Sequence, residues 1–322
     1  MKREVVSWKT SELLSSSFRS MLSKDKTDKL IEIFCSVDDF LQHLQQHLQD
    51  NPSAEFKMPR FEGRMNPSEI LTIIIFYQFS GLKCFQYYFD DIVSTELLSY
   101  FPDQVGYKRF LQLISKSWSL LHLFTQFRCQ SAKRTGIYFI DSKKLPVCDN
   151  RRINKHKVFN NLAERGHTST GWFYGLKIHL AINNLGQCVN FRFSAGNVHD
   201  ANPDILRHVL KDLTGNCYGD KGYLSKIFEE LLQNGIKMVT KIRKNMKNRL
   251  MPLEEKYQLF KRGIIESVFD ILMTVFDIEH TRHRSAKNGF AHMVAALAAY
   301  SFMDNKPTVL VPKMVKWPPT SR

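Results

Sequence analysis

Beyond Gly136 the hydrophobic pattern changes from helical spacing to short β-type runs, and the order of those runs restricts the fold more than any other feature. Ile137-Tyr138-Phe139-Ile140 predicts a short strand that ends at Asp141. Trp172 to Ile182 is long, aromatic and β-branched. Asn183-Asn184-Leu185-Gly186 turns it back into Cys188 to Phe193, which predicts an antiparallel hairpin. Pro203 to Leu213 predicts a helix, and Cys217-Tyr218-Gly219 a short strand that ends at Asp220. Leu224 to Gln233 is a helix stopped by Asn234-Gly235, Ile236 to Ile242 is a strand, and helices follow at Ile264 to Phe276 and Phe290 to Phe302. The order β, hairpin, α, β, α, β predicts an α/β (α+β) domain with a mixed sheet flanked by helices.

The region before it reads as mostly helical. Leu30 to Leu48 has roughly helical spacing, and Asn66-Pro67-Ser68-Glu69 announces a helix start over Ile70 to Gln78: Asn66 caps, Pro67 suits the first turn, and Glu69 stands three residues after the cap. Phe85 to Phe89 and Leu111 to Phe127 are further helical pieces. The expected organisation is a helical region over 1–130, suited to DNA binding or dimerisation, an α/β domain over 131–305, and a poorly packed Pro- and Lys-bearing tail over 306–322.

Charge separates these regions. Residues 1–130 carry 15 Lys and Arg against 15 Asp and Glu; the whole chain has 46 against 31, so 131–322 carry 31 against 16 and the entire excess of +15. A basic domain joined to a neutral one points to a polyanionic partner. The longest apolar run, Ile70 to Phe79, is far shorter than the ~20 residues of a membrane span, and no secretory signal is seen. A soluble cytoplasmic protein is expected. Six scattered cysteines with no CxxC pair are read as reduced, mostly buried thiols.

Asp141 and Asp220 occupy equivalent places, each at the end of a β-type run and each followed by polar, basic or glycine residues. Strand ends at a carboxyl edge are where ligand groups collect. Ile264, Ile265, Val268, Phe269, Leu272, Val275 and Phe276 make one broad apolar helical stripe. Glu266 falls off that stripe, with Arg262 four residues before it and Asp270 four after. Such a helix could present Glu266 at the sheet edge. Three carboxylates on rigid elements suit Mg²⁺ or Mn²⁺, two ions per site, bridging to phosphate. Most Asp and Glu are simply solvated, so the acids gain weight only from their basic surroundings. Glu254-Glu255 is a rival third acid, read as a solvated pair because its segment lacks an apolar stripe.

Nine basic residues against two acidic ones lie between Lys237 and Arg262; within them Lys241, Arg243, Lys244, Lys247 and Arg249 predict a phosphate-binding loop. Lys143, Lys144, Arg151, Arg152, Lys155 and Lys157 form a second cluster after Asp141, and Lys221 directly follows Asp220. His43 and His47, and His280, His283 and His292, lack the further ligand a zinc site needs and are read as structural or DNA-proximal. No Walker-type loop is present, so ATP is not implied.

Several stretches resemble the DDE transposases of bacterial insertion sequences, most nearly insertion-sequence family 982. They are Phe139-Ile140-Asp141-Ser142, Leu145 to Asn150, Gly171 to His179, Gly196-Asn197-Val198-His199-Asp200, Tyr218 to Tyr223, Arg262 to Phe269 and Thr281 to Ser285, all in the family's order. The resemblance implies an RNase H-like catalytic fold, with Asp141 and Asp220 as first and second acids and Glu266 as third. It implies metal-dependent cleavage at the ends of an insertion sequence and strand transfer into target DNA. The partners would be double-stranded DNA and further copies of the chain, with no membrane, in a bacterial, nucleoid-associated setting. Arg262 matches the Arg found beside the glutamate in many such enzymes, and Lys143, Lys144, Lys221, Arg243, Lys244, Lys247 and Arg262 are the expected DNA contacts. One departure is Met273, where related enzymes often carry Lys or Arg seven residues after the glutamate. An RNase H-like nuclease that does not join strands, and a transposase-derived DNA-binding protein without activity, remain alternatives.

Overall fold

The computed structural model describes residues 23–223, 227–241 and 251–310. In chain order, its helices are α1 (Lys24–Asp50), α2 (Pro67–Tyr77), α3 (Phe85–Tyr88), α4 (Tyr107–Gln130), α5 (Pro203–Val209), α6 (Phe228–Gln233), α7 (Leu253–Lys261), α8 (Ile264–Thr274) and α9 (Ala286–Ser301). Its strands are β1 (Ile137–Cys148), β2 (Glu164–Thr168), β3 (Gly171–Asn183), β4 (Cys188–Ala195), β5 (Gly215–Gly219) and β6 (Ile236–Thr240). The chain divides into two compact units. The described residues up to Thr125, with Phe276–Phe302, form one; Gln126–Val275, with the described residues from Met303 on, form the other.

The first unit is helical. At α2 the predicted capping box is present: Glu69 accepts from the Asn66 amide at 2.8 Å, and Pro67 takes the first turn. All nine residues of α2 from Ser68 except Glu69 are buried, because α2 lies between neighbours that cover it all round. α9 begins at Ala286 after the Ser285 cap, four residues before the expected start at Phe290, and its alanines from Ala291 on are buried. Among the described residues no helix is long and apolar enough to cross a membrane.

The second unit is built on one mixed sheet. β4 and β2 follow each other along one edge of β3, β3 runs antiparallel to β1, and β1 and β5, then β5 and β6, are parallel. This is the mixed sheet flanked by helices that the order of β-type runs and helices predicted. One face of the sheet (Tyr138, Ile140, Ala181, Cys217 and Ile236) packs on Ile205, Leu206 and Val209 of α5 and Leu231 of α6. Phe139 and Tyr218 project to the other face, their rings 5.7 Å apart, and α8 packs on β1 there. Gly175 and Gly196 let β1, β3 and the chain after β4 approach closely: a Cβ on Gly175 would overlap the Leu145 carbonyl oxygen, and one on Gly196 would stand 2.6 Å from the Glu164 carbonyl oxygen.

Three expectations need correction. β1 does not end at Asp141; it runs on to Cys148, because β3 pairs with it from Tyr138 to Cys148 and supplies hydrogen bonds past the aspartate. Glu254 and Glu255 lie in α7, and Glu255 is ion-paired with Lys237, with its side chain only 14% exposed, so they are not a solvated pair. The described start of the tail is held as far as Val309, with Leu310 exposed beyond it: the Val309 amide donates to the Asn184 carbonyl at 2.7 Å, and the Asn184 side chain donates back to the Val309 carbonyl. Residues 311–322, the predicted start of a helix at Leu224 and the end of a strand at Ile242 lie outside the described residues. All six cysteines are free; Cys129, Cys188 and Cys217 are buried, whereas Cys35 is exposed.

Candidate active site

β5 pairs with β1 over only three residues, ending at Phe139 opposite Tyr218. Extending that register by two residues sets Asp141 opposite Asp220, on the face that carries Phe139 and Tyr218. Asp220 directly follows the last residue of β5, and a 3₁₀ turn over Lys221–Tyr223 carries the chain away. β1 therefore loses its parallel neighbour where the two aspartates stand. A carboxylate at such an opening is held by the strand and still reaches solvent.

Glu266 comes to the same region by a different route. Ile264, Ile265, Val268, Phe269 and Leu272 are all buried, and this stripe seats α8 on the sheet with Glu266 left 62% exposed in its first turn. Arg262, at the junction of α7 and α8, closes the arrangement. Its Nη1 donates to Asp141 Oδ2 at 3.0 Å and its Nη2 to Glu266 Oε1 at 3.2 Å. One guanidinium thus holds two of the three acids.

Asp141 is the acid most affected by its surroundings. Burial raises its pKa above the ordinary carboxylate value; the Ser142 amide, donating to Oδ1 at 2.8 Å, and the Arg262 charge oppose that rise. Asp200 raises it further. Among the described residues no hydrogen bond or ion pair engages the Asp220 carboxylate, and no three His, Cys, Asp or Glu side chains are grouped tightly enough to hold a metal ion. The acids are therefore aligned by strand register and by Arg262, but not drawn into one cluster.

Lys143 and Lys144 lie on β1 just past Asp141, and Lys144 donates to Thr170 Oγ1 at 2.7 Å. Lys221 is exposed beside Asp220. Arg243, Lys244, Lys247 and Arg249 lie outside the described residues. Among the histidines, His43 is exposed on α1, and His283 and His292 stack edge to face 5.9 Å apart within the helical unit.

Asp200 is the feature that sequence reasoning passed over. Its Oδ1 accepts from Ser142 Oγ at 2.7 Å and from Lys177 Nζ at 3.0 Å. Lys177 is buried, and it also donates to the Val198 carbonyl. Nearby, His179 bonds Ser194 through Nε2 at 2.8 Å, and its pKa is lowered to about 4, first by burial. The Tyr223 hydroxyl is buried; its pKa is raised by burial and then by the charges of Asp141 and Asp200, so both carboxylates lie near it. A signal for this network existed. Lys177 is a charge set between Leu176 and Ile178 inside a long, mostly apolar strand, and a buried lysine requires a partner.

Residues 131–286 match the family model described as a transposase DDE domain. No curated protein matches the chain. Among solved structures it is similar to the piggyBac transposase in a cryo-EM structure of its synaptic complex with hairpin DNA. The identity is 13% and the TM-score 0.35, over 74% of this chain and 54% of that one. The chain spans about half the length of that transposase.

Proposed function

We propose, with the transposase DDE domain of residues 131–286 as premise, that this chain is a DNA transposase that cleaves at the ends of an insertion sequence and joins them to target DNA. The observation that carries this reading is Arg262 held between Asp141 and Glu266, beside a β1–β5 register that sets Asp220 opposite Asp141. A cation already sits between two of the acids, and all three offer only hard oxygen donors, so the donor set fits divalent magnesium or manganese. Asp141, Asp220 and Glu266 would hold the ions. Such ions, when bound, make the attacking oxygen more nucleophilic and stabilise charge on the leaving oxygen of a phosphodiester.

The chain's own residues supply position and charge. Asp141 is fixed by β3 pairing on one side and by the Ser142 amide at its Oδ1. Glu266, exposed at the start of its helix, can turn toward Asp141 once Arg262 releases it. Lys143, Lys144 and Lys221 lie beside the aspartates and would bind DNA phosphates, together with Arg243, Lys244 and Lys247. Arg262 would join them when its acids take up another cation. The scheme needs no covalent enzyme intermediate. The ordered motifs favour insertion-sequence family 982 as the finer assignment, and bringing two element ends together calls for more than one copy of the chain.

The test is Asp141→Asn. With DNA carrying the element's ends and Mn²⁺, the wild type is expected to nick at the ends and the variant to lose nicking while keeping end binding. A variant that still cuts would remove Asp141 from the site and this reading with it.

A further inference from the structure

β1 continues for seven residues past Asp141 (148 − 141), and β3 continues with it into the β2–β3 hairpin. At about 3.3 Å per residue, the nine steps from Asp141 to Asn150 (150 − 141) span at most about 30 Å. Asn150 is a fair marker of the far end, because its side chain donates to the Trp172 carbonyl at 3.0 Å. On B-form DNA, at about 3.4 Å per base pair, that reach corresponds to about nine base pairs.

The far end is basic and presents an aromatic ring. Between Lys143 and Trp172 there are seven Lys and Arg (143, 144, 151, 152, 155, 157 and 165) against two acids, Asp149 and Glu164. Arg151, Arg152, Lys155, Lys157 and Arg165 are all exposed. Trp172 is 67% exposed at the start of a strand that is buried from Phe173 to Asn183. By the β2–β3 register Trp172, His167 and Arg165 share one face, and the His167 ring packs edge-on against Trp172 at 4.9 Å. Arg151 and Arg152 stand on the 3₁₀ turn over Asn150–Lys155 that abuts this end. An exposed tryptophan among cations, with the unmatched charge on one arm, is chemistry for a nucleic-acid backbone and its stacked rings.

We propose that this end of β1, with the β2–β3 hairpin, is an arm that grips duplex DNA up to about nine base pairs from the point where Asp141 acts. Arg151, Arg152 and Arg165 contact phosphates, and Trp172 packs against the sugar and base edge between them. The inference rests on the transposase reading for its partner but not for its contacts.

The experiment uses the full chain in chelator, so that no cutting intervenes, and a fluorescent random-sequence duplex of about 24 base pairs, long enough to span site and arm. Binding is followed by anisotropy across a salt series. The triple variant Arg151→Gln, Arg152→Gln, Arg165→Gln is expected to flatten the slope of log affinity on log salt by about 2–3, since each phosphate contact is worth about 0.9. Trp172→Ala is expected to weaken duplex binding about tenfold, and Trp172→Phe to restore most of it. These side chains are exposed, so an unchanged melting temperature confirms intact folding in each variant. Wild-type slope and affinity in both variants would overturn the arm while leaving the transposase reading in place. Losses seen only with a single-stranded oligonucleotide would overturn the duplex assignment. A wild-type chain that fails to bind duplex at all would remove the arm and the DNA reading together.

Discussion

Arg262 lies between Asp141 and Glu266, 3.0 Å from an oxygen of the first and 3.2 Å from an oxygen of the second. Asp141 and Arg262 are largely buried, with side chains 23% and 16% exposed, whereas Glu266 is 62% exposed. The pair with Asp141 is therefore the stronger, and the contact with Glu266 is worth well under 1 kcal/mol after solvent screening.

Removing this guanidinium gives a prediction with two parts. Arg262→Gln leaves Asp141 without its counter-charge and should lower stability by about 1–3 kcal/mol in metal-free buffer. It also frees both carboxylates, so Mn²⁺ should bind several-fold more tightly by calorimetry and restore the melting temperature more than it raises that of the wild type. Mn²⁺ affinity equal to or weaker than that of the wild type would show that Arg262 does not compete for these acids.

Gly175→Ala tests how closely β1 and β3 must approach near the site. The added Cβ would overlap the Leu145 carbonyl oxygen and sit 2.8 Å from Pro146 Cα, both backbone atoms that cannot swing aside. A loss of about 3 kcal/mol in urea unfolding is expected, larger than for alanine at the open Gly222, where nothing lies within 4 Å. Equal losses at the two positions would mean that the strands can separate at no cost.

Acid should destabilise the helical unit before it reaches the carboxylates. His292 is buried and His283 half-buried beside it, and this desolvation lowers their pKa values to about 4 and about 3. In the unfolded chain each takes up a proton near pH 6.5. Below that pH the unfolded state binds more protons, so the stability these residues contribute is complete above about pH 6.5 and is lost as pH falls through about 4 for His292 and about 3 for His283. The melting temperature should be flat from pH 8 to about 7 and fall steeply below 6.5, and His292→Gln should make that fall shallower. An identical pH profile for His292→Gln would remove this residue as the cause.

Much of the fold was legible because it is written in local chemistry. The Asn66-Pro67-Ser68-Glu69 start, the Asn183 to Gly186 turn and the apolar stripe of α8 each rest on neighbours in sequence, and each lies where it was expected, except that Val275 of the stripe falls just past the helix end and is 54% exposed. The true end of β1 was not legible. Lys143 and Lys144 interrupt the apolar run, and only the pairing with β3 keeps the strand going. The five-residue β2 was missed for the same reason: Glu164, Arg165 and His167 suit an edge strand but read alone as loop.

The sequence by itself singled out the candidate side chains: two aspartates after β-type runs, a glutamate off an apolar stripe, and a net positive charge confined to residues 131–322. Those are matters of residue type and period, which the covalent chain fixes. Only the tertiary structure decided that Arg262, four positions from Glu266, reaches Asp141 across 121 positions, and that Asp200 and buried Lys177 pair 23 positions apart beside Ser142. Contacts between side chains distant in sequence depend on strand register and helix seating. Both are set by packing the whole core at once, so no local pattern records them.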